Sequence, residues 1–112
     1  MSVSFDGFNR KAATFITTED IEKGTAVKIT DSAQVEPCAD GDVFCGFVEN
    51  GEGGYASVQL CGAVTAAYSG TAPEVGYAKL ASDGSGVKAS DSGREYLVVA
   101  IDESTSTVTF IM

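Results

Sequence analysis

The stretch Asp42–Gly62, DVFCGFVENGEGGYASVQLCG, decides the fold because it has the pattern of two strands joined by a glycine-rich turn. Val43–Val48 is an almost continuous apolar run. Asn50-Gly51 follows it, and this pair tolerates the positive φ angles of a tight hairpin turn. Tyr55–Leu60 then alternates between apolar and other residues, as a half-buried strand does. The residues of this hairpin that we expect in the core are Phe44, Phe47, Val58 and Leu60.

The rest of the chain repeats this pattern of short apolar or alternating segments separated by turn residues. It predicts an all-β fold, a small compact barrel or β-clip-like domain of about nine or ten short strands with little helix. Residues 1–13 lack the pattern and are predicted to be an extended N-terminal arm, with residues 14–112 as a single β domain. Segments 24–62 and 76–112 have similar residues at an offset of 52. This similarity indicates either a weak internal duplication or the chance resemblance that any two parts of a small β protein show.

The charge of the chain excludes some classes of partner. Its 112 residues include 16 acidic and 7 basic side chains, a formal net charge of −9. A nucleic-acid surface needs clustered Lys and Arg to neutralise phosphates, so we expect no nucleic-acid partner. No apolar stretch reaches the roughly 18 residues that suggest a membrane span, and the N-terminus lacks the apolar core of a signal peptide. We therefore expect no membrane partner, and synthesis in the cytoplasm.

The residues needed for common catalytic chemistry are missing or badly spaced. Histidine, the commonest general base and zinc ligand, is absent from the chain. Cys38, Cys45 and Cys61 do not form a C-x-x-C motif, so no zinc or redox site is predicted. Cys45 and Cys61 are expected to be small core residues, with a cross-strand disulfide between them as the alternative.

Two further groups of residues have side chains or glycines of the kind found in sites of chemistry. The Gly51–Gly54 loop lacks the Lys and Ser/Thr of a phosphate-binding loop, and a strand follows it where a helix is required. Asp40 with Asp42, and Asp102 with Glu103, are expected to accept backbone hydrogen bonds in turns. We therefore expect a protein that is not an enzyme, with no catalytic residue, cofactor or metal.

The N-terminal arm carries exposed-looking aromatic and basic residues. Phe5 and Phe8 flank Asp6-Gly7, and Arg10-Lys11 is the only pair of adjacent basic residues in the chain. Two phenylalanines on an arm are unfavourable in water unless they dock on something. They dock either on the protein's own core or on a partner chain, as extended segments do by strand addition.

Several stretches in a fixed order resemble one family of proteins. They are KG-x-x-VK at Lys23–Lys28, G-x-A-x-VQL-x-G-x-V at Gly54–Val64, VGY-x-KL at Val75–Leu80 and GREYLVV at Gly93–Val99. Together they resemble the small head-decoration, or capsid cement, proteins of tailed bacteriophages and prophages. The resemblance covers roughly residues 13–112, and the motifs are those of turns and strands, without catalytic residues.

The resemblance implies a structural protein of the virion, made in the bacterial host and located on the capsid exterior. Such proteins bind the outer surface of the shell, commonly as homotrimers at three-fold or quasi-three-fold positions, and stabilise neighbouring subunits of the major capsid protein. The arm then provides the expected capsid contacts, because it combines aromatic anchors with the basic pair of an acidic chain. These residues are Phe5, Phe8, Arg10, Lys11 and Phe15.

One alternative function remains open at this point. The stretch DIEKGTAVKIT, Asp20–Thr30, also looks like the strand entry of sugar-binding antifreeze-like domains with a β-clip-like fold. A virion-surface module that binds carbohydrate or the host surface would need a flat polar face. The sequence offers such a face only at Thr105–Thr109, where threonines alternate.

Overall fold

A computed structural model describes residues 11–84 and 86–112 of the chain and confirms the predicted all-β class. The described residues form ten strands and no helix. The strands are β1 (Lys11–Ile16), β2 (Ala26–Asp31), β3 (Gln34–Pro37), β4 (Gly46–Glu52), β5 (Tyr55–Cys61), β6 (Ala63–Ala67), β7 (Gly76–Ser82), β8 (Val87–Ala89), β9 (Arg94–Asp102) and β10 (Thr107–Ile111). Residues 1–10, most of the predicted arm, lie outside the described residues.

The first five strands form a closed barrel in the order β1-β3-β2-β4-β5. β1 runs antiparallel to β5, and the barrel closes where Ile16 of β1 lies parallel to Gln34 of β3. The interior is small and aliphatic, and the partly buried Phe15 and Cys45 pack against it. Its buried residues are Ile21, Val27, Val35, Val48, Ala56 and Val58.

The last five strands form a second sheet in the order β6-β10-β9-β7-β8. Among the described residues, its two outer strands meet at a parallel bridge between Tyr68 and Val87. Next to this bridge, Gly86 lies so close to the carbonyl oxygen of Ala67 that no Cβ fits between them. The second sheet therefore curls toward a barrel and is joined by a single residue pair, as the first barrel is at Ile16 and Gln34.

The two halves of the chain pair their strands in the same way. In each, the first strand pairs with the fifth, the fifth with the fourth, the fourth with the second and the second with the third. Gly24 and Gly76, 52 residues apart, both have positive φ, and so do Gly54 and Ser106 at the same offset. The segments compared in the sequence, 24–62 and 76–112, contain β2–β5 and β7–β10, and the shared topology extends to β1 and β6.

A shared core joins the two halves. Phe44 from the first half stacks on Tyr96 from the second, with ring centroids 5.2 Å apart and planes within 7°. Phe110 contacts the same cluster, with its centroid 5.3 Å from that of Tyr96, and Phe47 lies 5.0 Å from Phe44. Other buried members come from both halves, including Ala26 and Cys38 from the first. Phe44, Phe47 and Val58 are thus buried, as predicted.

The hairpin of the opening stretch differs from the prediction in its turn. β4 continues through Asn50-Gly51, which pair with Ser57 and Ala56. The turn is made instead by Gly53-Gly54, whose φ angles of 67° and 84° are those of the two central residues of a type I′ turn. Gly-Gly satisfies the same steric demand as Asn-Gly, and a turn at this position places Val48 opposite Val58.

The first strand of this hairpin also begins later than predicted, at Gly46 rather than Val43. The reason is that Gly46 passes too close to the backbone of Gln59 for any side chain, so the ladder starts at this close approach. Before it, the chain runs outside the ladder and Phe44 inserts into the shared core.

Leu60 is not in the core, contrary to prediction: it is 38% exposed, whereas the neighbouring Gln59 is buried. A bulge causes this reversal, because Lys11 pairs with Cys61 and Ala12 with Gln59, so Leu60 has no opposite residue in β1. The buried amide of Gln59 is satisfied, since its Nε2 donates to the carbonyl oxygens of Cys61 and Ala63 at 3.1 Å each.

The contrast between Phe110 and Leu60 gives a test of this core. Phe110→Ala should lower the free energy of unfolding by about 3–5 kcal/mol, because it empties a fully buried ring site between three other rings. Leu60→Ala should cost less than about 1 kcal/mol, since the side chain lies at an exposed bulge. Urea unfolding followed by circular dichroism measures both, and equal losses would contradict the assignment of Leu60.

Candidate functional site

The structure describes two of the five predicted contact residues, Lys11 and Phe15, and places both on β1. Lys11 is exposed and lies opposite Cys61. Residues 11–13, assigned to the arm in the sequence, form the first half of β1 and pair with β5. Phe5, Phe8 and Arg10 lie outside the described residues.

Phe15 faces the interior of the barrel. It lies opposite Ala56 of β5, is half-buried and packs against the aliphatic core of the barrel. An aromatic side chain in this position fixes β1 to the barrel. It therefore anchors the strand from which the N-terminal segment leaves.

An exposed apolar pair, which sequence reasoning missed, lies at the end of the same strand. Ile16 and Tyr55 are cross-strand partners of β1 and β5 and are 48% and 59% exposed. Ile29, near the end of β2, is 52% exposed. The turn that joins β2 to β3 contains Ala33, and the carbonyl oxygen of Ala33 accepts a hydrogen bond from the amide of Ile16. The alternation along β1 predicts this outward direction for Ile16, once Phe15 is known to point inward.

A second exposed apolar set crosses the outer face of the second sheet. We call it the outer row: Ala63 lies opposite Ile111, Ile111 opposite Leu97, and Leu97 opposite Tyr77. Tyr77 is 74% exposed, and the other three are half-buried. The inner neighbours of these residues, such as Phe110 and Val98, belong to the shared core, so the row faces away from the barrel.

Threonine hydroxyls lie beside the outer row on the same face. Thr65 and Thr109 are cross-strand partners whose hydroxyl oxygens are 2.8 Å apart. Thr105 and Thr107 form a similar contact at 2.9 Å. The alternating threonines of β10 therefore do form a small polar surface, with hydroxyls that bond one another.

Two of the four acidic residues in the possible catalytic pairs, Asp42 and Asp102, have turn roles in the structure, and Asp40 lies 2.8 Å from the ammonium of Lys88. Asp42 accepts hydrogen bonds from the backbone amide of Ala39 at 2.9 Å and from the ammonium of Lys28 at 2.6 Å. Asp102 accepts the amide and the hydroxyl of Ser104. The bond from Lys28 holds the pKa of Asp42 below its usual value, and the Ser104 hydroxyl does the same for the pKa of Asp102. These carboxylates are thus held as charged acceptors that close turns.

The three cysteines are thiols in the structure. Burial, aided by the nearby charge of Asp42, raises the pKa of Cys38 to about 12. Burial also raises the pKa of Cys45. A reactive cysteine needs the opposite shift, since the thiolate is the nucleophile. Cys38 and Cys45 therefore serve as core residues.

An open groove lies where the connector before β2 passes the end of β4. It has a volume of about 370 Å³. The residues that line it are Asp20, Ile21, Glu22, Lys23, Asn50 and Gly51. Their charges have mixed sign, and across residues 11–84 and 86–112 no group of three His, Cys, Asp or Glu side chains is arranged to hold a metal ion.

Comparison with known proteins adds no relative to this description. No family model matches the chain, and no curated protein or solved structure matches it either. Among the described residues there is no helix with the length and apolarity to cross a membrane.

The Lys28–Asp42 bond predicts a dependence of stability on pH. Because the pKa of Asp42 is lowered by folding, its stabilising effect is present above the unfolded value of about 3.9 and is lost as the pH falls through the folded value. Asp42→Asn should therefore be less stable than the unmodified protein at neutral pH, with a gap that closes as the pH falls through the lowered pKa of Asp42.

Urea unfolding at a series of pH values measures this gap. Lys28→Met serves as the matched variant, since Lys28 is the principal cause of the shift. In the Lys28→Met background the gap should be smaller at neutral pH, as expected for two coupled residues. A gap that stays constant from neutral to acid pH would contradict the role given to Asp42.

Proposed function

We propose that this protein is a structural virion protein that binds the outer surface of a tailed-phage capsid and stabilises the shell. The observation that carries the proposal is the ordered set of motifs in Lys23–Lys28, Gly54–Val64, Val75–Leu80 and Gly93–Val99, which resembles head-decoration proteins. The all-β fold is of the kind that this resemblance implies.

The positions of these motifs in the fold add support of a physical kind. Gly54–Val64 contains β5 and the junction to β6, and Gly93–Val99 contains Tyr96 of the shared core. They are thus residues that build the two halves and join them. A small rigid domain of this type is suited to clamping neighbouring subunits, where many copies of a weak contact add to a large total effect.

The proposed route of attachment is the N-terminal segment together with the end of the barrel. Phe15 anchors β1 in the barrel, Lys11 is exposed at its start, and Ile16 with Tyr55 offers an apolar surface at its end. Exposed apolar side chains on a chain with a net charge of −9 are the places where a partner can approach with least repulsion. The major capsid protein is the proposed partner.

The proposal also covers self-association and chemistry. We infer a homotrimer at three-fold or quasi-three-fold positions of the shell, with the acidic surface toward solvent and no nucleic acid or membrane as partner. We infer no enzymatic activity, because histidine is absent and the thiol of Cys38 is held in its protonated form.

Removal of the segment before β1 tests whether this segment attaches the protein to the shell. Deletion of residues 2–10 should abolish binding to purified shells and leave the domain folded, because the deletion ends before Lys11 starts the first strand. Co-sedimentation with shells assembled from the major capsid protein of the same virus or prophage measures binding. Full binding by the deletion variant would rule out the segment as the attachment site.

A matched pair of variants separates the segment from the barrel end. Tyr55→Ser changes an exposed side chain and should weaken attachment without unfolding the protein, whereas Glu52→Ser, on the same hairpin, should bind normally. Bound protein should also raise the temperature at which the shells rupture. If the protein binds shells without raising this temperature, it decorates the shell but does not stabilise it, and the proposed cement role is wrong.

A second candidate function is supported by the threonine surface of β10. The paired hydroxyls of Thr65 with Thr109 and of Thr105 with Thr107 form a polar patch of the kind that a carbohydrate- or host-surface-binding module on the virion would need. Under this alternative, Thr65→Val/Thr109→Val should abolish binding on a glycan array and leave shell rupture unaffected. Loss of shell stabilisation without any glycan signal would favour the cement role.

A further inference from the structure

We propose that the outer row is the docking surface for the chain's own N-terminal segment, residues 1–10, in the free protein. The row crosses four strands of the second sheet, from Ala63 through Ile111 and Leu97 to Tyr77. Tyr77 and the nearby Val75 are the most exposed large apolar residues of the part of the chain that the structure describes, at 74% and 69%.

The row is a continuous uncharged stripe on an acidic protein. On one side it borders the Lys79–Glu95 cross-strand pair, and on the other the Thr65–Thr109 hydroxyl pair. Apolar side chains aligned across neighbouring strands form one surface, because their Cβ atoms lie about 5 Å apart. The barrel does not cover this surface, since it packs against the opposite face of the sheet through the shared core.

The N-terminal segment joins the described structure beside this row. Lys11, where the segment ends, lies opposite Cys61 of β5. Ala63, the first member of the row, follows Cys61 by two residues along the chain. Gly62, between them, exchanges backbone hydrogen bonds with Met112, the neighbour of Ile111. The segment therefore starts one strand spacing across and two residues along from the row's first member, roughly 8 Å away.

Residues 1–10 are long enough to cross the row. Three strand spacings of about 4.8 Å separate Ala63 from Tyr77, a span of about 14 Å. Ten extended residues reach roughly 33 Å, so the segment can cross the whole row from its starting point. Phe8, three residues before Lys11, can reach the near part of the row, and Phe5 can reach the far part.

The spacing of the two phenylalanines fits the row as well. Phe5 and Phe8 are three positions apart, which is about 10 Å of extended chain and close to two strand spacings. A regular extended chain would turn these two positions to opposite faces, so the proposal requires a change of backbone direction at Gly7, which glycine permits. One ring can then lie against Ile111 while the other lies against Tyr77. Aromatic and aliphatic contacts of this type stabilise a docked segment without any charge complementarity.

The inference concerns the free chain and does not depend on shell binding. Attachment to shells can fail while the segment still docks on the row, and the segment can bind a shell without resting on the row beforehand. The two proposals are therefore tested by different measurements.

Nuclear Overhauser effects in the full-length protein test the docking. Contacts are expected between the ring protons of Phe5 or Phe8 and the methyl groups of Leu97 and Ile111. Tyr77→Ser, a change at a mostly exposed side chain, should remove the contacts of the far ring and keep the fold, as judged by the spectrum of the barrel core. Thr105→Ser, on the same face but outside the row, is the matched control and should keep every contact.

A sample that mixes isotope-labelled and unlabelled chains decides which chain supplies the segment. Contacts confined to single chains at all concentrations support the proposal. Contacts that cross between chains would overturn it in favour of a second copy as the occupant. Absence of ring contacts, with the Leu97 and Ile111 methyl shifts unchanged by Phe5→Ser/Phe8→Ser, would overturn it altogether.

Discussion

The stacking of Phe44 on Tyr96 is the contact on which the rest of the structure depends. The two rings occupy corresponding positions 52 residues apart in two halves with the same strand pairing, and they meet face to face in the shared core. The aliphatic interior of the barrel is small, so most of the large buried side chains lie around this stack. Because each half supplies one wall of the aromatic cluster, neither half alone keeps its rings from water.

This arrangement restricts where the protein can bind anything. The inner faces of both sheets are used for packing, and the acids at the turns, such as Asp42 and Asp102, are used to close backbone turns. What remains is the outer surface, where the apolar side chains form two separate sets, the Ile16–Tyr55 pair on the barrel and the outer row on the second sheet. Both lie on strands rather than on loops, so their geometry is held by the hydrogen-bond ladders, a property suited to a structural protein.

Much of the fold could be predicted from the sequence, because alternation and turn residues mark all ten strands and because Phe44 and Phe47 lie in the strongest apolar run. The errors occur where backbone register decides the result. Leu60 has the right residue type and spacing for the core, but the bulge opposite Lys11 turns it outward. The turn was predicted at Asn50-Gly51 because that pair tolerates the same positive φ angles as Gly53-Gly54, which makes the turn in the structure.

The surface sets could not be predicted, since they depend on which residues of distant strands lie opposite one another, as Tyr77 and Leu97 do. Of the predicted contact residues, Phe15 points inward, a direction that only the pairing of β1 with β5 reveals.

The closure of the two sheets has a consequence for how the molecule opens. The barrel is sealed by the Ile16–Gln34 pair, where the amide of Ile16 donates to the Ala33 carbonyl, and the amide of Thr17 donates to Gly54 of the β4–β5 turn. The second sheet is sealed in the same way by the Tyr68–Val87 bridge, where the amide of Ser69 donates to the Val87 carbonyl and that of Tyr68 to Ser106 of the β9–β10 turn. Joints of so few bonds separate at a lower free energy than the global unfolding of the domain. The amide hydrogens at the joints, those of Ile16 and Ser69, should accordingly exchange with solvent by local opening, while those within the β4–β5 and β9–β10 ladders exchange only when the whole domain unfolds. Each half can thus open along its joint while the shared aromatic core stays packed.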